Sequence, residues 1–213
     1  MNVRALLLDL DGTLIDSTAD LSESVRHIQS HYGVPLSTNN EVASFIGDGI
    51  GMLVARALPA FETETHDEAV ELLKEFYRRH CMVHTVVYPS VLETLKTLSG
   101  IKMAVVTNKP ERVSRRILTG MGFDPYLSAI VGGDTLPEKK PDPQPLWHAL
   151  TLLGCPRESA AMVGDSHVDV EAGRAAGVRT IGILSNIGDQ AALRAAGPDY
   201  LIHNFSELVQ LQL

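Results

Sequence analysis

The chain has 213 residues, with 18 Lys and Arg against 26 Asp and Glu, for a formal net charge of −8. Its 45% hydrophobic and 5% aromatic residues place it among folded globular chains and outside the disordered, collagen-like and repeat classes. The acidic balance speaks against a nucleic-acid or anionic-membrane surface, because both need clustered Lys and Arg.

Cys81 and Cys155 lie in no CxxC or zinc-like spacing, and both read as buried small apolar residues. Asp9 and Asp11 interrupt the apolar start of the chain before a signal-peptide core can form, and no stretch approaches the ~20 apolar residues of a membrane span. A cytoplasmic protein with no nucleic-acid and no membrane partner is expected, as a monomer or homodimer.

In chain order, the apolar run 3–8 predicts a strand. Leu21, Val25, Ile28 and Tyr32 then fall at helical spacing over 18–31, with Ser17 or Thr18 as N-cap and Gly33 and Pro35 as a stop. Further helices fit 38–46, 50–58 and 66–82 with no strand pattern between them, which predicts a bundle of about four helices. Residues 16–84 also hold five cations and eleven anions, so −6 of the chain's −8 lies there.

Beyond that point the pattern alternates. Helices fit 90–99, 110–121, 143–153, 167–176 and 189–196; strands fit 101–106, 129–131, 160–163, 179–183 and 200–202. Alternating units with near-continuous apolar strands predict an α/β fold, a Rossmann-like parallel sheet covered by helices on both faces. The helical unit is inserted after the first strand. The expected domains are therefore a core of 1–15 and 86–213 and a helical insert of 16–85, with hinges near 15–18 and 84–89.

In such a sheet ligands bind beyond the carboxyl ends of the strands where strand order reverses. Asp9-Leu10-Asp11-Gly12-Thr13 follows the first strand, Thr107-Asn108-Lys109 the second, and Gly164-Asp165-Ser166 the 160s strand, with Asp169 close behind. Lys139-Lys140-Pro141 precedes the helix leading into that last strand. Like charges this close need a cation, and oxygen-only donors select a hard ion such as Mg²⁺. Asp9 and Asp165 are the expected direct ligands, with Asp169 behind them or serving only its helix. Mg²⁺ of that kind binds phosphate oxygens, so a small phosphorylated metabolite is the expected partner.

Asp9 and Asp11, two residues apart in an extended turn, can aim both carboxylates at one substrate, one as nucleophile and the other as acid and base. Gly12 and Thr13 bring the backbone and a hydroxyl to the phosphate. Thr107, the Asn108 amide and one lysine of the site supply donors to its oxygens.

The motifs LLLDLDGTLIDS, VVTNK, KKPDP and MVGDSHVDVEAG, in this order, resemble the four motifs of the haloacid dehalogenase (HAD) superfamily, and the helical insert resembles that family's α-helical cap. The resemblance implies an Mg²⁺-dependent hydrolase with Asp9 as nucleophile and Asp11 as acid and base. It implies further that the Asp11 carbonyl and Asp165 hold the metal, and that Thr107 and Lys140, rather than Lys139, hold the phosphate.

The segments SFIGDGIGMLVARAL and PDYLIHNFSEL are most similar to bacterial phosphoglycolate phosphatases, which implies hydrolysis of 2-phosphoglycolate through an aspartyl-phosphate. The same motifs also serve a phosphosugar mutase and sugar-phosphate or pyrophosphate phosphatases. Gly47-Asp48-Gly49 is either an ordinary link between cap helices or a loop pointing down at the site. Arg56 is read as a surface arginine, with a clamp on a substrate carboxylate as the alternative. Four carboxylates against Lys140 give a local −3 that one Mg²⁺ brings to −1.

Overall fold

The computed structural model describes residues 3–211. Six strands form one parallel sheet: β1 (Ala5–Leu8), β4 (Lys102–Val106), β5 (Ala129–Val131), β6 (Ala160–Gly164), β7 (Arg179–Ile183) and β8 (Tyr200–Ile202). Their order is β5-β4-β1-β6-β7-β8, so the sheet grows to one side of β1 and then to the other. That reversal makes the gap beside β1 the binding crevice, since the crossovers leave it uncovered there. Leu8 stands opposite Val105 on one side and Val163 on the other, which aligns the three motif-bearing strand ends.

The side-chain alternation of a strand divides the core. Ala5, Leu7, Ala104, Val106 and Met162 face α7 (Gln144–Leu153) and α8 (His167–Ala176), whose Leu146, Leu150 and Ala172 close that face. Leu6, Leu8, Met103, Val105 and Val163 face the opposite way, toward α5 (Val91–Thr97) and α6 (Glu111–Gly120). The remaining helix of this half, α9 (Gln190–Ala196), leads into β8.

Between the first and second sheet strands lie α1 (Thr18–His31), α2 (Asn39–Phe45), α3 (Ile50–Ala57) and α4 (Thr63–His80). The expected α1 stripe holds, with Leu21, Val25 and Ile28 buried. In α4 the buried residues are Ala69, Leu73 and Tyr77, while Leu72 and Phe76 are half-exposed. The α4 stripe thus runs at a spacing of four. The apolar residues of these helices join those of the sheet face in one buried cluster.

Two elements were not foreseen. β2 (Ile15–Asp16) and β3 (Val86–Val87) pair antiparallel where the chain leaves and re-enters the sheet half, at both expected hinges. Beside them Asp20, fully buried on α1, accepts from the backbone N–H groups of Val83, His84 and Thr85 and from the Thr85 hydroxyl, at 2.7 to 3.1 Å. The outgoing helix and the returning segment are therefore tied to each other.

Two smaller expectations are corrected. Ser17 precedes α1 but makes no side-chain cap; the Thr18 N–H is taken by Asp16 Oδ1 at 3.0 Å, because the Ser17 hydroxyl is used elsewhere. At the start of α6 the Glu111 N–H goes to Asp134 Oδ1 at 2.7 Å. Cys81 is buried as expected, but Cys155 is half-exposed, since it lies in the turn after α7.

Candidate active site

Asp9 directly follows β1, and its N–H donates to the Val163 carbonyl at 2.9 Å, which fixes the backbone from which its carboxylate rises. The neighbouring strand end delivers Asp165. Ligand oxygens of Asp9, Asp165 and Asp169 all lie within 4.8 Å of one another, and all three residues are buried.

Lys140 reaches into this cluster, donating to Asp9 Oδ1 at 2.8 Å and Asp169 Oδ1 at 2.6 Å, whereas Lys139 stays exposed. Asp169 spends its other oxygen on the Ser166 N–H and hydroxyl, the capping box that starts α8. Both of its oxygens are thus engaged by protein groups.

The electrostatics follow from burial. Loss of water pushes the Asp9 carboxyl up to about 6, against the lowering pull of Lys140 and with Asp169 and Asp11 adding to the rise. Burial first, then the charges of Asp9 and Asp169, raise Asp165 well above the ordinary carboxylate range. Burial would lower Lys140, but Asp169 and Asp9 outweigh it and hold the ammonium charged.

This is an oxygen-only, electron-rich pocket that a hard divalent cation suits. Gly12 is part of its shape: at φ +85° it takes a conformation that L side chains rarely adopt, and a Cβ there would lie 2.0 Å from Asp165 Oδ2.

Around the cluster the hydroxyls act on protein groups. Thr13, expected to meet the phosphate, is fully buried and donates to Asp165 Oδ1 at 3.3 Å; it orients that carboxylate. Ser185, beyond the end of β7, donates to Asp165 Oδ2 at 2.8 Å. Thr107 is buried and its Oγ1 accepts from the Lys109 N–H at 3.2 Å. The side-chain N–H groups of Asn108 go to the carbonyls of Gly47, at 3.1 Å, and Lys140, at 2.9 Å. That side chain therefore joins the insert to the core and has no further N–H for a phosphate oxygen.

Asp11 has company that the sequence reading missed. The Lys109 ammonium donates to both of its carboxylate oxygens, at 2.8 and 3.0 Å, and the Ser17 hydroxyl to Oδ1 at 2.5 Å. Lys109 also lies 4.7 Å from the centre of the Tyr77 ring, on α4. With Lys109 beside Lys140, four carboxylates meet two lysines, a formal −2 in place of the expected −3.

The haloacid dehalogenase-like hydrolase family model matches residues 6–183. The chain belongs to this family. It is 38% identical to a phosphoglycolate phosphatase of Chromobacterium violaceum, over 99% of this chain and 96% of the relative. With one from Aquifex aeolicus the identity is 36%, over 98% and 96%. In structure it resembles a predicted phosphoglycolate phosphatase from Haemophilus somnus, with a TM-score of 0.93 at 28% identity, covering 100% of this chain and 99% of that one. The expected superfamily, the likeness to bacterial phosphoglycolate phosphatases, the α/β fold class and an enzyme of phosphatase type are borne out. No helix among the described residues is long and apolar enough to cross a membrane.

In this HAD-family hydrolase the loop Gly47 to Gly49 sits over the strand ends. Gly47 accepts from Asn108, and a Cβ on Gly49 would lie 3.4 Å from the Asn108 carbonyl and from Lys139 Nζ. Arg56 is neither a free surface arginine nor a clamp: it pairs with Asp48 and donates to the Phe45 carbonyl at 2.9 Å, bracing the loop from behind. Below the loop, a cavity of about 60 Å³ opens on Asp9 and Asp11 and is walled largely by apolar residues of the insert.

Proposed function

We propose that the protein is a Mg²⁺-dependent phosphomonoester hydrolase that works through an aspartyl-phosphate on Asp9, with 2-phosphoglycolate as its substrate. The observation that carries this reading is the pair Asp9 and Asp11, which face one small cavity from adjacent positions but in different company. Asp9 is bonded to Lys140 among carboxylates. Asp11 is bonded to Lys109 and Ser17.

Residues 16–85 serve as a cap over a core of 1–15 and 86–213. Opening at β2 and β3 admits the ester, and closure excludes water from the site. The carboxylates of Asp9 and Asp165 and the Asp11 carbonyl would hold Mg²⁺, which would supply charge neutralisation at the phosphate oxygens. An Asp9 oxygen attacks the phosphorus in line, the bond to the leaving oxygen breaks, and Asp11 gives that oxygen a proton. A water then attacks the acyl phosphate, Asp11 takes its proton, and Asp9 is regenerated with release of inorganic phosphate. Lys140 holds Asp9 in line and offers charge to the equatorial oxygens, while Lys109 and Ser17 hold Asp11.

The size of the cavity favours hydrolysis of a small ester over the mutase alternative. A space of about 60 Å³ corresponds to roughly four to six water-sized groups. A two-carbon leaving group suits such a space better than a hexose. The test is phosphate release from a panel of small phosphorylated metabolites in Mg²⁺. Preference for 2-phosphoglycolate supports the reading, and a hundredfold better ester would replace the substrate while leaving the chemistry.

A further inference from the structure

The cavity beside Asp9 and Asp11 has two unlike halves. Leu21, Ile46, Ile50, Leu53 and Leu73, all from the insert, make one half apolar. An anion entering such a wall loses its hydration and needs replacement donors. The other half supplies them at one point, where Lys109 and Tyr77 both line the cavity.

The Tyr77 hydroxyl is buried and makes no aligned hydrogen bond, although the Lys109 ammonium is close by. An unsatisfied buried hydroxyl is costly, so its position calls for a ligand. Burial holds the phenol protonated, as a donor. Lys109 is 7% exposed, and an ammonium has three N–H groups, of which two suffice for the oxygens of Asp11. The first turn of α3 opens onto the same space through Gly49 and Ile50, and no side chain caps its N–H groups. Arg56 does not line the cavity and is committed to Asp48 and Phe45.

We infer that Lys109 and Tyr77 form the subsite that selects a leaving group bearing a carboxylate. The inference rests on the phosphatase reading and deepens it. The ester places its phosphate on Asp9, and its carboxylate receives the Tyr77 hydroxyl, with the Lys109 ammonium directly behind it.

The test compares two esters of similar size, 2-phosphoglycolate and 2-hydroxyethyl phosphate, in saturating Mg²⁺, for the parent, Tyr77→Phe and Lys109→Gln. Folding is checked by circular dichroism and thermal melting. The readout is the ratio of kcat/KM for the acid to that for the alcohol. Loss of a hydrogen bond to a charged group lowers that ratio roughly tenfold or more in each variant, carried mainly by KM for 2-phosphoglycolate. A parent that hydrolyses both esters equally well, or a folded Tyr77→Phe protein whose ratio stays within about twofold of the parent's, overturns the subsite while the hydrolase stands. A parent that releases phosphate from neither ester, nor from p-nitrophenyl phosphate or any other ester of the metabolite panel, overturns the phosphatase reading itself.

Discussion

The Lys109 ammonium donates to both carboxylate oxygens of Asp11, at 2.8 and 3.0 Å, across 98 residues of sequence. It fixes the rotamer of the residue assigned to move the proton, and it keeps that carboxylate from approaching Asp9. Lys109→Met keeps most of the length of the side chain and removes the charge. It is expected to lower kcat/KM for p-nitrophenyl phosphate by about 10- to 100-fold, the ordinary loss for a mispositioned acid and base. A variant within twofold of the parent would sever Lys109 from the chemistry.

Asp20 lies outside the site and its prediction concerns stability. Four donors converge on its fully buried carboxylate. In Asp20→Asn one acceptor oxygen becomes an NH₂ that faces N–H groups. Urea unfolding should show a loss of about 2–4 kcal/mol, from bonds to a charged group that are lost and donors left buried. A change under about 0.5 kcal/mol would show that the tie between α1 and residues 83–85 is unimportant.

The pH dependence follows from Asp9. Its folded pKa is raised by burial to about 6 from an ordinary 3.8, so without metal the folded state binds the proton more tightly than the unfolded state. Its contribution to stability is then present at low pH and is lost as pH rises from about 4 to 6. Mg²⁺ competes with that proton. The melting temperature in excess Mg²⁺, less that in EDTA, should therefore grow between pH 5 and 7 and level off above. At 100 times the Kd such binding is worth about 2.7 kcal/mol, several degrees for a chain of this size. An increment independent of pH would contradict a metal held by Asp9.

Arg56 supports the loop Gly47 to Gly49 through Asp48 and the Phe45 carbonyl. Arg56→Met frees the loop that covers the cavity. Because the pair is about one-third exposed, stability should change by less than about 1 kcal/mol. KM for 2-phosphoglycolate should rise about fivefold, a loss of preorganisation. An unchanged KM would make the brace irrelevant to binding.

These particulars mark what the sequence could tell. The sheet and its order of helices were legible because β1, β4 and β6 are near-continuous apolar runs, and the carboxylates at their ends follow from the rule of the strand-order reversal. The ribbon of β2 and β3 was not, since two residues each carry no period. Lys109 stood inside a motif already read for phosphate donors, yet its partner Asp11 lies in another motif, and only the register of β1 against β4 joins them. Ser185 follows β7 as Asp165 follows β6, and reading that strand end too would have found it. Ser17 looked like a helix cap, the same chemistry aimed elsewhere. Arg56 and Asp48 pair through a turn that no helical spacing rule covers, and nothing in the apolar pattern of 66–82 singles out Tyr77.

The central claim is that Asp9 attacks phosphorus. Asp9→Asn keeps the shape of the side chain and removes the nucleophile. With 2-phosphoglycolate or p-nitrophenyl phosphate in saturating Mg²⁺, the account predicts phosphate release reduced by about a thousandfold or more, the scale of losing covalent catalysis, in a protein that still folds. Release near the parent rate from the folded variant would contradict it.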